Sequence, residues 1–321
     1  MDGPINEPTP RPVAWITHAA CRMHDMGAHH PESPRRLGQI EDRLLISGLG
    51  DFLQRYEAPR AEIAALERVH DALHVQHILT ADVTAGEIEI DPDTLMNAHS
   101  QEAALRAAGA GILGVDLALD GKAGLSFCAV RPPGHHAERL KAMGFCFFNN
   151  VAVAAGHALS RGLERVAILD FDLHYGNGTA DIFAKDPRVL MCSTYQQPLY
   201  PDWSGIPGAT NLIDVPLSPY TNSSTFRAAI REFWVPALND FAPQIFLISA
   251  GFDAHQRDPL GDLKLTTEDF RWIGTLIREL AEQHCDGRVV ATLEGGYDVD
   301  ALAVSVEAFL RAFIHDGYNS L

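Results

Sequence analysis

The sequence predicts a single α/β domain with a mostly parallel central β-sheet and helices on both faces. Three observations predict it. Apolar runs rich in β-branched residues alternate with amphipathic helical patterns along the chain. Five of those runs pass directly into polar, Gly-rich or His-rich segments, as the carboxyl ends of parallel strands do where loops converge on a ligand. No Pro/Gly/Ser-rich linker, charge block or repeat interrupts the 321 residues, so one catalytic-size domain is expected over 1–321. A prior of ~150 residues per domain would also allow two.

In chain order, residues 1–11 are expected to be flexible and carry neither the basic nor the apolar region of a secretory signal, which implies a cytoplasmic location. PVAWITH from Pro12 reads as the first strand, and Ser100 to Leu119 as a helix. LSFCAV from Leu125 is a strand followed by RPPGHHA, then a helix from Asn149 to Arg161. RVAIL from Arg165 runs into DFDLHYGNG, and RVLMC from Arg188 into STY. A helix is expected from Ser224 to Phe241. QIFLIS from Gln244 precedes AGFDAHQRD. TTED opens a helix from Thr266 to His284, with Thr266 or Thr267 as its cap. RVVATL from Arg288 leads to LEGGY, and a last helix covers Val299 to His315.

Bulk properties exclude several classes. No stretch approaches the ~18 unbroken apolar residues of a membrane helix. A formal charge of −17 disfavours nucleic acid as a partner and tolerates cationic ligands. The five cysteines, Cys21, Cys128, Cys146, Cys192 and Cys285, show no CxxC spacing, which argues against a disulfide framework and a thiolate metal site. The fifteen histidines are more informative, because they cluster beside carboxylates.

In ILDFDLHYGNG, Asp170, Asp172 and His174 fall at every second position after an apolar run. On a strand they would share one face at ~6.7 Å spacing, and two such carboxylates would repel without a compensating cation. A salt-bridged cluster and a metal site both fit that triplet alone. Asp253 of AGFDAHQRD supplies a further donor, so Asp172, His174 and Asp253 make an O, N, O set of net charge −2 that suits zinc and could hold iron(II) or another divalent ion. Asp170 is left to orient a histidine or to help bind a monovalent cation. His135 and His136 follow a rigid Pro-Pro-Gly turn and are candidate proton-transfer groups, oriented by Asp170 and Asn177 respectively. Tyr297, after Gly295 and Gly296, could move toward a ligand and donate to an oxyanion.

From HHPESPRRL through RPPGHHAERLKAMGFCFFNN, ILDFDLHYGNGT, ISAGFDAHQRDPLG and LEGGY, the chain resembles the zinc-dependent histone deacetylase superfamily, in its class II-like, bacterial histone deacetylase-like and acetylpolyamine amidohydrolase branches. The resemblance implies an arginase/deacetylase-like sheet and zinc-dependent hydrolysis of acylated amines. It implies Zn²⁺ on Asp172, His174 and Asp253, His135 and His136 as the catalytic pair, and Tyr297 as the carbonyl-polarising donor. It also implies a structural K⁺ held by Asp170, the backbone around Asp172 and His174, and Ser193. Gly144 and Phe145 would line a tunnel opposite a wall near Tyr200, Arg36 would lie at the inner end of the channel, and Asp93 at the rim where substrate backbone binds. Tyr175 departs from the family's usual second histidine, and Asn177 matches the class II-like branch.

The function expected is removal of acetyl or other short acyl groups from acetyl-lysine or acetylpolyamine by metal-activated water, with a small-molecule or peptide N-acyl amine as partner. The oligomeric state is left open, a homo-oligomer included. A catalytically silent acyl-ligand-binding or regulatory member of the same fold is the alternative, and a ureohydrolase is disfavoured for want of paired metal-bridging aspartates.

Overall fold

The β-branched runs become the strands of one parallel sheet. The computed structural model describes residues 11–84, 86–202 and 205–314. The stretch 1–11 expected to be flexible therefore lies outside the described residues except for Arg11, as does His315 at the end of the last expected helix. Ten strands occur among the described residues: β1 (Val13–Thr17), β2 (Leu53–Glu57), β3 (Ile88–Asp91), β4 (Thr94–Met96), β5 (Leu125–Cys128), β6 (Val166–Asp170), β7 (Val189–Gln196), β8 (Leu212–Leu217), β9 (Ile245–Ala250) and β10 (Val289–Leu293). Eight form the sheet, in the order β2-β1-β5-β10-β9-β6-β7-β8, and every pairing in it is parallel. β3 and β4 form a separate antiparallel hairpin.

Strands β5, β10, β9 and β6 are neighbours at the centre, and each is buried along its length. Continuous burial on both faces explains why they read as unbroken apolar runs. Successive side chains point to opposite faces. On one face, Ser126 and Val290 approach Gly114 of the helix Ser100–Leu119, where a Cβ would come within 2.7 Å of Val290 Cγ1. On the other, Phe127 packs 6.2 Å from Phe309 of the helix Val299–Arg311. Helices thus cover both faces. The helix Asn150–Ser160 joins the first layer, while Arg35–Ile46 and Thr267–Cys285 pack with Val299–Arg311 in the second.

Thr266 caps the helix Thr267–Cys285 in a reciprocal box with Asp269. The helix expected over 224–241 is interrupted. It runs as Ser223–Ala229, a π turn over Ile230–Trp234, and Val235–Phe241. Pro236 offers no N–H to the preceding turn, which accounts for the local widening.

DxDxH is not strand throughout. β6 ends at Asp170, and Asp172 and His174 lie beyond it. The Asp172 N–H donates to Asp170 Oδ1 (3.1 Å) and the His174 N–H to Asp172 Oδ1 (2.9 Å). Each aspartate captures the donor two residues on and curls the chain out of the ladder. The period of two survives as consecutive turns.

Candidate active site

Four neighbouring strand ends deliver the side chains. β5 leads to His135 and His136, β6 to Asp170, Asp172 and His174, β9 to Asp253, and β10 to Tyr297. Asp170, Asp172 and Asp253 are buried, as are both histidines of the pair, and His174 is nearly so. Tyr297 is half-buried.

Ligand-type atoms of Asp172, His174 and Asp253 lie within 4.8 Å of one another, the one such trio among the described residues. His174 Nδ1 is 3.1 Å from Asp172 Oδ1 and 3.2 Å from Asp253 Oδ2. The remaining carboxylate oxygens are fixed by backbone. Leu173 N–H donates to Asp253 Oδ1 (2.8 Å) and Gly295 N–H to Asp172 Oδ2 (2.8 Å). A Cβ on Gly295 would run into Asp253 Oδ2 and lie 2.7 Å from Asp172 Oδ2, and one on Gly251 would overlap the Asp172 carboxylate. The space around the two carboxylates is therefore kept by glycine.

This donor set fits a divalent transition ion. It offers two carboxylate oxygens and one imidazole nitrogen, buried and convergent. Without a cation, burial pushes Asp253 up to about 7, with Asp172 adding to the effect. Burial also opposes charge on His174, but hydrogen bonds and attraction from Asp172 and Asp253 outweigh it and raise the imidazole to about 10. A proton is held where a metal would displace it.

The histidine pair is differentiated by its partners. His135 Nδ1–H donates to Asp170 Oδ2 (3.0 Å). Burial disfavours its charged form, yet Asp170, Asp172 and Glu294 together raise it to about 10. His136 Nδ1–H donates to Asn177 Oδ1 (2.7 Å), and Asn177 Nδ2 in turn donates to Glu138 Oε1 (2.7 Å), which fixes the amide's orientation. Burial, then His135 and His174, hold His136 well below the usual histidine value. The two rings, 4.0 Å apart between centroids, are thus pushed in opposite directions, His135 toward its charged form and His136 toward its neutral one. Burial and Asp253 keep the Tyr297 phenol well above its usual value, despite Arg36, so it remains a donor.

A cavity of about 230 Å³ opens onto these groups, lined by Asp93, His136, Gly144, Phe145, His174, Leu199, Tyr200, Leu260 and Tyr297. Gly144 and Phe145 occupy the two left-handed positions of a tight turn (φ 57° and 70°) between Met143 and Cys146. The strained phenylalanine is held by Phe145 N–H to Thr94 Oγ1 (2.9 Å) and Gly144 N–H to Asp93 Oδ1 (3.2 Å). The Tyr200 ring lies 5.2 Å from His136.

A family described as the histone deacetylase domain matches residues 30–313. The chain belongs to the histone deacetylase family. A probable deacetylase of Archaeoglobus fulgidus is 36% identical over 294 residues, covering 89% of this chain and 81% of that protein. A histone deacetylase-like amidohydrolase of Pseudomonas aeruginosa is 37% identical over 293 residues, 88% of this chain and 75% of the relative. The crystal structure of the HDA15 HD domain superposes with a TM-score of 0.89 at 30% identity, covering 94% of this chain and 88% of that one. This family membership makes the chain a hydrolase acting on amide bonds, with deacetylase or amidohydrolase activity.

Against the deacetylase framework, other expected residues take definite places. Ser193 Oγ is buried with no hydrogen-bond partner, and strand register sets it beside Asp170. Ser249, on the other flank of Asp170, is orphaned in the same way and was not anticipated. Two bare hydroxyls around a buried carboxylate fit an oxygen-liganded monovalent cation. Arg36 is buried behind Tyr297, outside the cavity lining, with its guanidinium 5.1 Å from the ring centroid. Tyr175 donates to Asp214 Oδ1 (2.8 Å) and packs edge-on against Tyr195, away from the ligand trio. Two acids escaped notice. Asp258 Oδ2 accepts the Tyr297 N–H (2.7 Å), and Glu294 binds the backbone of the PPGHH turn. Both grip main chain, a role with no ligand spacing to reveal it; Glu294 is marked only as an acid between an apolar strand and two glycines, and Asp258 has no local signal in AHQRDPLG. No helix among the described residues is long and apolar enough to cross a membrane.

Proposed function

We propose that the chain is a zinc-dependent amidohydrolase that removes acetyl or other short acyl groups from amines, with acetyl-lysine or an acetylpolyamine as substrate class. The observation that carries this reading is the clustering of the Asp172–His174–Asp253 trio, the unequal histidine pair and Tyr297 at one cavity, into whose lining they send His174, His136 and Tyr297. Asp172, His174 and Asp253 would hold the divalent ion. When bound, it supplies Lewis acidity that polarises a carbonyl and lowers the pKa of water from about 15.7 toward ~7.

The chain's own groups do the rest. His136 uses Nδ1 on Asn177, leaving Nε2 to accept the proton of the attacking water. His135, charged against Asp170, stabilises the developing negative charge and gives its own proton to the leaving amine, so that the pair ends with the same single charge, now carried by His136 on the proton taken from water. The Tyr297 hydroxyl donates to the tetrahedral oxyanion. Phe145, Leu199, Tyr200 and Leu260 exclude water and pack against an aliphatic tether. Burial first, then Asp93, Asp91 and Glu138, raise the Tyr200 phenol, and that negative field around the mouth favours cationic substrates.

The same reading assigns a structural K⁺ to Asp170, Ser193 and the backbone of Asp172 and His174, a cytoplasmic location, and catalysis by the one domain. A panel of acetyl-lysine peptide, acetylputrescine, acetylspermidine and longer acyl analogues, with and without added zinc, tests it. Zinc-stimulated release of acetate from at least one short acyl amine is expected. No release from any of them by metal-loaded protein overturns the proposal.

A further inference from the structure

The Glu294 carboxylate is buried beside the site but takes no part in the hydrolysis described above, and no cationic side chain among the described residues bonds to it. Oε2 accepts the N–H of Gly134 (2.6 Å) and of His135 (3.1 Å), and Oε1 lies 3.3 Å from Thr292 Oγ1. Pro132 and Pro133 carry no N–H, so Gly134 and His135 are the first donors after the two prolines. Both go to this one oxygen.

The segment that carries Glu294 is itself tied to the chemistry at each step. Its carbonyl accepts from Arg36, the Gly295 N–H holds Asp172, the Gly296 carbonyl accepts Arg36 Nε (2.7 Å), and Tyr297 follows. Side-chain partners fix where the His135 and His136 rings point, through Asp170 and Asn177. The His135 carbonyl takes the Gly178 N–H (3.1 Å) and the Pro132 carbonyl takes Asn150 Nδ2 (3.1 Å), which tie the turn to two neighbouring helices; a tie to the strand that brings Tyr297 is what remains. The Glu294 carboxylate supplies that constraint.

We infer that Glu294 is a positioning residue, whose reach to the Gly134 and His135 N–H groups sets the distance between the histidine pair and Tyr297; this rests on the hydrolase reading above. The competing role is electrostatic, a negative charge that need only be near His135. Reach and charge are separable. Glu294→Gln keeps an acceptor oxygen at the same reach without the charge, and Glu294→Asp keeps the charge but falls one methylene short.

The measurement is kcat and KM of zinc-loaded protein on a fluorogenic acetyl-lysine peptide, normalised to bound zinc, with a thermal melt of each variant. Glu294→Ala and Glu294→Asp should each lose roughly 10- to 100-fold in kcat, the scale of a displaced catalytic group, with KM within about threefold. Glu294→Gln should lose less than about fivefold. Asp matching or exceeding Gln overturns the inference in favour of charge. So does a folded Ala variant with wild-type kcat, failure of Gln to fold and load zinc, or collapse of both Ala and Asp variants while Gln is active. A zinc-loaded wild type that cleaves no acyl amine instead sinks the hydrolase reading, and this inference with it.

Discussion

Two buried charge clusters meet behind Tyr297, and they are built on opposite principles. The one around Glu32 is closed. Arg131 and Arg36 both bond its carboxylate, and the remaining guanidinium donors reach the carbonyls of Cys21, His24, Glu32, Glu294 and Gly296. Burial opposes ionisation of Glu32, but Arg131, His24 and Arg36 hold it well below the usual range. The cluster at the strand ends is open. Asp170, Asp172, Asp253 and Glu294 crowd around two imidazoles that can be charged, and carboxylates exceed the available cations. A cluster whose carboxylate is matched by guanidinium cations is a scaffold; one whose carboxylates outnumber its cations is a place for an exogenous cation.

The largest effect should come from removing a donor of the open cluster. Asp172→Ala is expected to lose both bound zinc and measurable turnover, about 10³-fold or more on the scale of essential catalytic groups. Elemental analysis finding stoichiometric zinc in that variant would reject the ligand assignment. Chelation of the wild type should have the same consequence, reversed by zinc. The comparison can be sharpened without substrate. In metal-free protein, Asp253→Asn keeps the Oδ1 acceptor for Leu173 while removing one of the crowded charges, so its melting temperature should equal or exceed that of metal-free wild type.

The closed cluster predicts the reverse. Glu32→Gln leaves two buried guanidinium groups short of their counter-charge, with an expected loss of about 3–5 kcal/mol. Chemical denaturation of metal-free protein measures it. If Glu32→Gln melts like wild type while Asp253→Asn is destabilised, the distinction between the clusters is broken. Next in size is Tyr297→Phe, which should keep zinc and lose roughly 10²-fold in turnover, as when one oxyanion donor is removed. Full activity in that variant contradicts the donor role.

The two clusters were not equally legible in the sequence. The open one announces itself, because each strand that feeds it is buried on both faces and breaks abruptly from apolar to polar. Ser100–Leu119 and the six apolar runs were readable for the same reason. β2 and β8 were not, since they are edge strands, β2 exposing Gln54, Arg55 and Glu57 and β8 carrying an exposed Pro216 in a partly buried run, and the β3–β4 hairpin is short. Glu32 and the first turn of the helix Arg35–Ile46 lie within HHPESPRRL, which stands out through resemblance alone, and although Arg131 opens RPPGHHA, nothing local shows that it folds onto a carboxylate 99 residues away. Asp172 and His174 kept their predicted partnership but not their strand geometry, because short-range capture of N–H groups by aspartate outweighs ladder formation.

The smallest effect follows from a third group of histidines, closed like the Glu32 cluster but lying under the catalytic turn. His70 Nδ1–H donates to the Glu138 carbonyl (2.9 Å), and its Nε2 accepts the Asn149 N–H (2.9 Å), so the neutral ring is fully used. Burial, with His74 5.0 Å away, lowers it to about 3, whereas acid neighbours drive His135 the other way. A folded-state value below the unfolded value of about 6.5 means that this stabilisation is complete above pH 6.5 and is lost as the pH falls toward 3. Between pH 6.5 and 5 the His70 contribution should decline by roughly 2 kcal/mol. His70→Asn should be less stable at pH 7.5, but its unfolding free energy should fall less steeply with acidification, so the gap to wild type narrows by that amount. Denaturant titrations at pH 7.5, 6 and 5 measure the gap; a constant difference across that range would mean that His70 is not held neutral by its two backbone partners.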